Sequence, residues 1–176
     1  MRKSMQRRLA SLCYGELISV ILFIPVSYLI NKAAPELHLY SLVSFWSSFT
    51  LLLFLLLQGS YYWYSKLQRL KTENTSTTPL SVVRFLYRMK NINAVVLGLA
   101  VLPFIIDLVR YIDDLPKTGL GIVFCIYLFT ILEFINYYYV QLSYDRFSEI
   151  KALLKRRQWK PSSLRKDFKR LKNMTP

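Results

Sequence analysis

Four long apolar blocks constrain this chain more than any other feature of its sequence. They cover residues 11–30, 42–62, 92–111 and 120–139. An α-helix rises about 1.5 Å per residue, so about 20 residues cross the roughly 30 Å of bilayer hydrocarbon. Hydrophobic residues make up 53% of the 176-residue chain, more than the interior of a water-soluble domain of this size could bury. The sequence therefore predicts an all-α membrane protein with four transmembrane helices.

The basic residues between the blocks predict the orientation of the chain. Of its 24 Lys and Arg residues, 21 lie in the two ends and in the connection between the second and third blocks. The other two connections hold Lys32, Arg110 and Lys117. Because Lys and Arg beside a span stay on the cytoplasmic side, we expect both termini to be cytoplasmic. Small size and a simple plan favour the plasma membrane of a bacterium as the location.

A polar stretch at residues 71–79 divides the protein into two halves. It is rich in Thr, Ser and Asn, which hydrogen-bond their own backbone and favour irregular structure. We expect an N-terminal basic segment with a first transmembrane hairpin (1–71) and a cytoplasmic linker (72–80). A second transmembrane hairpin (81–144) and a cytoplasmic basic amphipathic tail (145–176) complete the predicted organisation.

The two predicted hairpins share landmarks at similar spacing. Pro25 lies 36 residues before Tyr61 at the tyrosine-rich end of the first hairpin, and Pro103 lies 34 residues before Tyr137 in the second. One interpretation is a tandem repeat. The other is that any two membrane hairpins contain prolines and interfacial aromatic residues. Under either interpretation, each proline should kink its helix by removing a backbone donor.

Glu16 and Glu133 are the strongest candidates for a functional role. A charged side chain at the centre of a span costs about 2.5 to 3.5 kcal/mol, so an acidic residue inside a membrane is a functional candidate by default. Both are expected roughly 7 to 9 Å deep from the cytoplasmic end of their span. Other polar residues are predicted at the same depth. The full predicted cluster contains Glu16, Gln58, Asn93, Glu133, Asn136 and Tyr137.

This cluster has two interpretations. Two carboxylates in one layer of low dielectric constant repel each other, so at least one should be protonated unless a cation pairs with it. That arrangement suits a proton or cation site in a small transporter or channel. Alternatively, the same side chains hydrogen-bond between helices and hold the bundle together.

No enzyme motif is present. The sequence lacks a glycine-rich phosphate loop, a nucleophile elbow and a Cys-x-x-Cys pair. His38 is the single histidine and has no neighbours at metal-ligand spacing. Asp107 and Arg110 lie three residues apart, so we expect them to neutralise each other on one helix face. We therefore expect no catalytic residue, no metal and no cofactor.

The C-terminal tail is predicted to form basic amphipathic helices. Ser162 or Ser163 should cap the last one, with Leu164, Phe168 and Leu171 on its apolar stripe. Such helices bind the anionic lipids of the inner leaflet, or a partner protein, whereas nucleic acid is not expected. The predicted lipid or partner surface contains Lys155, Arg156, Arg157, Trp159, Lys160, Arg165, Lys166, Lys169 and Arg170.

Together these features predict a non-enzymatic accessory, regulatory or protective membrane protein that acts with a partner protein at the inner leaflet. The alternative is a small transporter or channel that uses the layer around Glu16 and Glu133. A bundle this small should complete its packing as a homo-oligomer or within a larger membrane protein complex. The glycines expected to allow close helix contacts are Gly15, Gly59, Gly98 and Gly121.

Overall fold

The described chain is helical. The computed structural model describes residues 2–112, 115–140 and 161–174. No strand occurs in these ranges. Two short 3-10 turns, Pro35–Leu37 and Leu39–Ser41, connect the first two helices. The helices are α1 (Arg2–Ala33), α2 (Val43–Thr72), α3 (Leu80–Leu99), α4 (Leu102–Arg110), α5 (Lys117–Tyr138) and α6 (Ser163–Met174).

Four stretches are long and apolar enough to cross a membrane. They are Lys3–Ala33, Val43–Thr72, Leu80–Arg110 and Lys117–Tyr138. The four apolar blocks found in the sequence fall within these helical stretches to within one residue. The prediction of an all-α chain with four membrane-spanning helices is confirmed at this level, and the fold is that of a multi-pass membrane protein.

The second span, α2, is the central helix. It packs against α1, α4 and α5, and most of its apolar window is buried. In contrast, little of the apolar window of α1 or of α3–α4 is buried. The outward side chains on those helices are large and hydrophobic, as lipid-facing positions require. The other spans are therefore arranged around α2.

The third span is broken next to Pro103. Helix α3 ends at Leu99, and α4 begins at Leu102 with Pro103 in its first turn. Between them the Val101 N–H donates to the Gly98 carbonyl, three residues back, at 3.4 Å. A proline is tolerated in a first turn because its missing N–H has no partner there. The expected distortion at Pro103 is thus present, whereas α1 continues through Pro25 as one helix.

One end of the bundle is closed by Asp107. Helix α2 begins after Leu42, which has no side chain to cap the free N–H groups of the first turn. The N–H groups of Val43 and Ser44 donate instead to the two Asp107 carboxylate oxygens, at 3.0 and 2.8 Å. The expected pairing of Asp107 with Arg110 is wrong, because the buried Asp107 carboxylate lies at the positive, N-terminal end of the α2 dipole and accepts hydrogen bonds there. The Arg110 guanidinium lies over the Tyr111 ring instead.

Two glycines allow close approach, and only one of them was expected. A Cβ at Gly59 would overlap side chains of α1 and α5, and a Cβ at Gly119 would overlap the Leu37 carbonyl. The other glycines singled out in the sequence, Gly15, Gly98 and Gly121, have nothing within 4 Å of an added Cβ. They do not mediate close helix contacts within the described part of the chain.

Helix α6 packs on the other end of the bundle, which we call the basic end. This end is formed by the start of α1, the 73–79 linker and α6. The Ser162 hydroxyl accepts the Arg165 N–H at 3.1 Å, so the predicted cap is confirmed. The stripe of Leu164, Phe168 and Leu171 is buried against α2, α3 and α5. The stripe therefore faces the bundle, and the location of this helix at the inner leaflet stays a prediction.

Asp167 holds α6 in place. Its Oδ2 accepts hydrogen bonds from the Tyr62 hydroxyl at 2.9 Å and the Thr78 hydroxyl at 2.6 Å. The Lys66 ammonium lies 3.9 Å from the same oxygen. Arg170 donates to the Thr78 carbonyl at 2.6 Å. These contacts connect α6 both to α2 and to the linker.

The basic surface predicted on the tail is therefore only partly described. Arg165, Lys166 and Lys169 are exposed on α6, whereas Arg170 is half-buried and occupied with the linker. The remaining predicted positions lie outside the described residues; they are Lys155, Arg156, Arg157, Trp159 and Lys160.

Candidate functional site

The predicted polar cluster is divided into two regions by α2. On one side, Gln58 and Asn93 join Tyr138 in what we call the closed triad. On the other side, the remaining predicted residues line an open cavity that we call the carboxylate groove. The predicted residues in the groove are Glu16, Glu133, Asn136 and Tyr137.

The closed triad is a complete hydrogen-bond ring between α2, α3 and α5. Asn93 donates to the Gln58 carbonyl oxygen at 2.8 Å, and the Tyr138 hydroxyl donates to the same oxygen at 2.7 Å. Gln58 donates back to Asn93 at 3.3 Å, and Asn93 also reaches the Tyr138 hydroxyl at 3.1 Å. All three side chains are buried. Buried polar groups that hydrogen-bond to one another across three helices stabilise the packing of those helices.

The carboxylate groove lies between α1 and α5, with α2 as its floor. Both flanking helices pack on α2, and the cavity between them has a volume of about 560 Å³. Its α1 wall is formed by residues spaced three or four apart, which share one helix face. These residues are Met5, Arg8, Leu9, Leu12, Gly15, Glu16, Ser19 and Phe23.

Glu16 is held against the floor of the groove. The Trp63 indole N–H donates to its Oε1 at 3.0 Å. The other oxygen, Oε2, is buried next to the Tyr137 hydroxyl. This position exists because residue 59 is glycine, since a Cβ there would overlap both Glu16 Oε2 and the Tyr137 ring. The carboxylate therefore lies directly against the α2 backbone, between Trp63 and Tyr137.

Glu133 faces the same cavity from α5. Its Oε2 accepts a hydrogen bond from the Asn136 amide at 3.3 Å, one turn further along the helix. Asn136 and Tyr137 line the groove on the same face. Two carboxylates, an amide and a phenol thus meet in one cavity, and the described residues next to Glu16 and Glu133 contribute no basic hydrogen-bond partner to either carboxylate.

The two ends of the groove differ in polarity. Toward the basic end it is lined by Arg8, Lys66 and Lys166 and covered by the first turn of α6. Farther from that end the lining becomes apolar, with Phe23 and Phe129 among its residues. Within the described residues, α1 and α5 both pack on α2 and make little contact with each other, which leaves a gap between them. The cavity is therefore amphipathic along its length.

Trp63 and Tyr138 are the site residues that sequence reasoning missed. Both belong to tyrosine-rich segments, which are typical of the aromatic belt at a membrane surface. The sequence pattern therefore predicted an interfacial position and not a buried hydrogen-bonding role. Trp63 also lies beneath a cation, since the Lys66 ammonium is 6.0 Å from its ring centroid. The one available signal was helical spacing, because Trp63 lies four residues after Gly59 on the same face of α2.

The described residues contain no group of three or more His, Cys, Asp or Glu side chains placed to hold a metal ion. No protein-family model, curated protein or solved structure matches the chain. The function is therefore inferred from the geometry of the groove.

Proposed function

We propose that this protein is a small non-enzymatic membrane transporter that binds a cation or a proton in the carboxylate groove. The observation that supports the proposal is the placement of Glu16 and Glu133 on the α1 and α5 walls of one cavity, with no basic hydrogen-bond partner for either carboxylate among the described residues. This proposal favours the alternative drawn from the sequence over the accessory role.

The groove and the closed triad differ in how their polar groups are stabilised. Carboxylates in a medium of low dielectric constant need a proton, a cation or several donors to be stable. The triad satisfies its polar groups internally, whereas the groove leaves two acidic groups facing space that a ligand can enter. A bound cation supplies positive charge next to the two carboxylates. Because cations and protons compete for these carboxylates, cation binding is coupled to the proton gradient.

We propose that the chain crosses the cell membrane as two hairpins with both termini in the cytoplasm. The excess of Lys and Arg at the basic end supports this orientation. The polar part of the groove then opens near the inner leaflet, and the setting proposed is a bacterial plasma membrane. Cysteines placed at His38 and at Thr75 test the orientation, because an impermeant thiol reagent added to intact cells should label the first and not the second.

Flux through purified protein in liposomes tests the transport proposal. The pH inside vesicles that contain the intact protein should change when a transported cation is added. A pH-sensitive dye detects this change. Glu16→Gln and Glu133→Gln keep the shape of each side chain and should each reduce the signal at least tenfold. Glu36→Gln is the matched control, since Glu36 is exposed in the 34–42 connection at the other end of the bundle.

Equal flux from the wild-type, Glu16→Gln and Glu133→Gln proteins would exclude the groove as the transport site. Correct folding of each variant is established by its elution volume in detergent. Since glutamine is close in size to glutamate, a folded but inactive variant assigns the loss to the carboxylate itself.

A second candidate function is an accessory role with a partner protein at the inner leaflet. It is favoured by the exposed Arg165, Lys166 and Lys169 on a helix that Asp167 fixes to the bundle. Replacing these three residues by Ala should release a partner that co-purifies with the wild-type protein from native membranes. A partner retained by the triple variant, or no stoichiometric partner of the wild-type protein, would count against this role.

A further inference from the structure

The aromatic residues around Glu16 indicate which cations suit the groove. Trp63 and Tyr137 flank the carboxylate, with the indole N–H fixed to Glu16 Oε1 at 3.0 Å. Trp63 presents its N–H edge to the carboxylate, and an aromatic π face attracts an alkylated or protonated nitrogen through the ring quadrupole. The Lys66 ammonium, 6.0 Å from the Trp63 ring centroid, is one cation of the chain that already lies near this ring.

The size and the apolar walls of the groove point to an organic ligand. A cavity of about 560 Å³ lies within the range of about 300 to 1,000 Å³ that is typical of sites for drug-sized molecules. Leu12, Phe23, Leu56 and Phe129 provide apolar surface on three helices. A hydrated inorganic ion gains nothing from such walls, whereas an apolar body attached to a cation buries its surface against them.

The charges at the basic end determine the route into the groove. Arg8, Lys66 and Lys166 line that end together with the first turn of α6, and the exposed Lys166 disfavours the approach of a small cation there. Among the described residues, these three are the basic side chains that line the groove. Phe129 lines the groove and is 43% exposed, and Gly15 has nothing within 4 Å of an added Cβ. A molecule dissolved in the bilayer can therefore reach Glu16 without passing the basic residues.

We infer that the ligand of the carboxylate groove is an amphiphilic organic cation that enters from the bilayer between α1 and α5. Its nitrogen or phosphorus cation lies at Glu16 between Trp63 and Tyr137, and its apolar body lies against Phe23 and Phe129. The inference rests on the proposed function and narrows it to one chemical class of substrate.

Equilibrium dialysis of the intact protein in mild detergent against radiolabelled tetraphenylphosphonium tests the ligand class. We expect saturable binding, with dodecyltrimethylammonium competing far better than tetramethylammonium or sodium. Glu16→Gln should weaken binding at least tenfold. Trp63→Leu should weaken it by about 3- to 30-fold, the range expected for loss of one cation–π contact. Trp46→Leu is the matched control, because Trp46 lies at the other end of the bundle and outside the groove.

The route is tested by narrowing the opening. Gly15→Leu places a large side chain at the side of the groove and should slow tetraphenylphosphonium association several-fold in nanodiscs. Gly121→Leu is the control, since Gly121 has equally open surroundings but does not line the groove. An unchanged association rate in Gly15→Leu would overturn the proposed route.

The outcomes separate this inference from the broader function. If sodium or tetramethylammonium competes as well as the amphiphilic cations, and Trp63→Leu binds normally, the substrate class is wrong while transport at Glu16 stands. If Glu16→Gln binds every cation as the wild-type protein does, both proposals fail. A tightly bound anionic phospholipid that no cation displaces, detected by native mass spectrometry, would also overturn the inference.

Discussion

The closed triad and the carboxylate groove share neighbouring residues of α2 and α5, yet they have opposite properties. Gln58 and Tyr138 turn into the triad, whereas the adjacent Gly59 and Tyr137 turn into the groove. One residue of helix rotates a side chain by about 100°, which is enough to move it to another flank of α2. Polar residues that are adjacent in sequence can therefore form a buried hydrogen-bond network on one side of α2 and line a cavity on the other.

The largest effect on stability is expected in the triad. Asn93→Leu leaves the Gln58 amide and the Tyr138 hydroxyl without their shared partner, and should lower the free energy of unfolding by about 1 to 3 kcal/mol. Titration with a denaturing detergent measures the loss. Asn91→Leu, on the same helix but exposed, should change stability little. If both variants lost equal stability, the triad would not be the stabilising feature described here.

A smaller effect on stability is expected at α6, which packs against both the groove and the triad. Leu164 lines the groove and Phe168 stacks on Tyr138 of the triad. Tyr62→Phe removes a hydroxyl that donates to Asp167, which should weaken α6 docking by about 1 kcal/mol. Amide hydrogen exchange across residues 163–174 should accelerate accordingly. The neighbouring Tyr61→Phe should leave exchange unchanged, because Tyr61 is exposed; unaltered exchange in Tyr62→Phe would contradict the role of Asp167.

Gly59→Ala should weaken ligand binding while changing the free energy of unfolding little. The added Cβ displaces Glu16 Oε2 and the Tyr137 ring, both of which belong to side chains that can move. We therefore expect a change in stability below about 1 kcal/mol but at least a tenfold loss of tetraphenylphosphonium affinity. Gly98→Ala, which meets nothing within 4 Å, should bind normally. Normal binding by Gly59→Ala would show that the position of Glu16 against α2 is not needed.

The smallest effect on stability is expected for Glu133→Gln. The amide keeps the size of the side chain and faces an open cavity, so the free energy of unfolding should change by less than about 0.5 kcal/mol. Its cation-driven flux should nevertheless fall. A loss of stability comparable with that of Asn93→Leu would place Glu133 with the structural residues and remove the contrast between the two regions.

Features that depend on local sequence were predictable. Apolar length gave the four membrane-spanning helices, Pro103 marked the break in the third, and Ser162 marked the start of α6. These follow from backbone chemistry within one or two helical turns. The depth of Glu16 and Glu133 in the membrane, counted along each helix, stays a prediction.

Features that depend on how the helices rotate against each other were not predictable. Depth alone grouped Gln58 and Asn93 with the two glutamates, because it carries no information about which flank of α2 each side chain faces. Helical spacing suggested Arg110 as the partner of Asp107, but the unsatisfied N–H groups of α2 lie more than 60 positions away in sequence. Similarly, the buried partner of the α6 stripe is formed only when α2, α3 and α5 assemble.

The cap on α2 has a consequence for biogenesis. The first turn of α2 relies on Asp107, which is translated more than 60 residues after the turn that it caps. A nascent chain that contains α1 and α2 alone therefore carries an unfinished helix end. This end of α2 is completed only once α4 has been synthesised and has packed against it, so the first hairpin depends on the third span for its final structure.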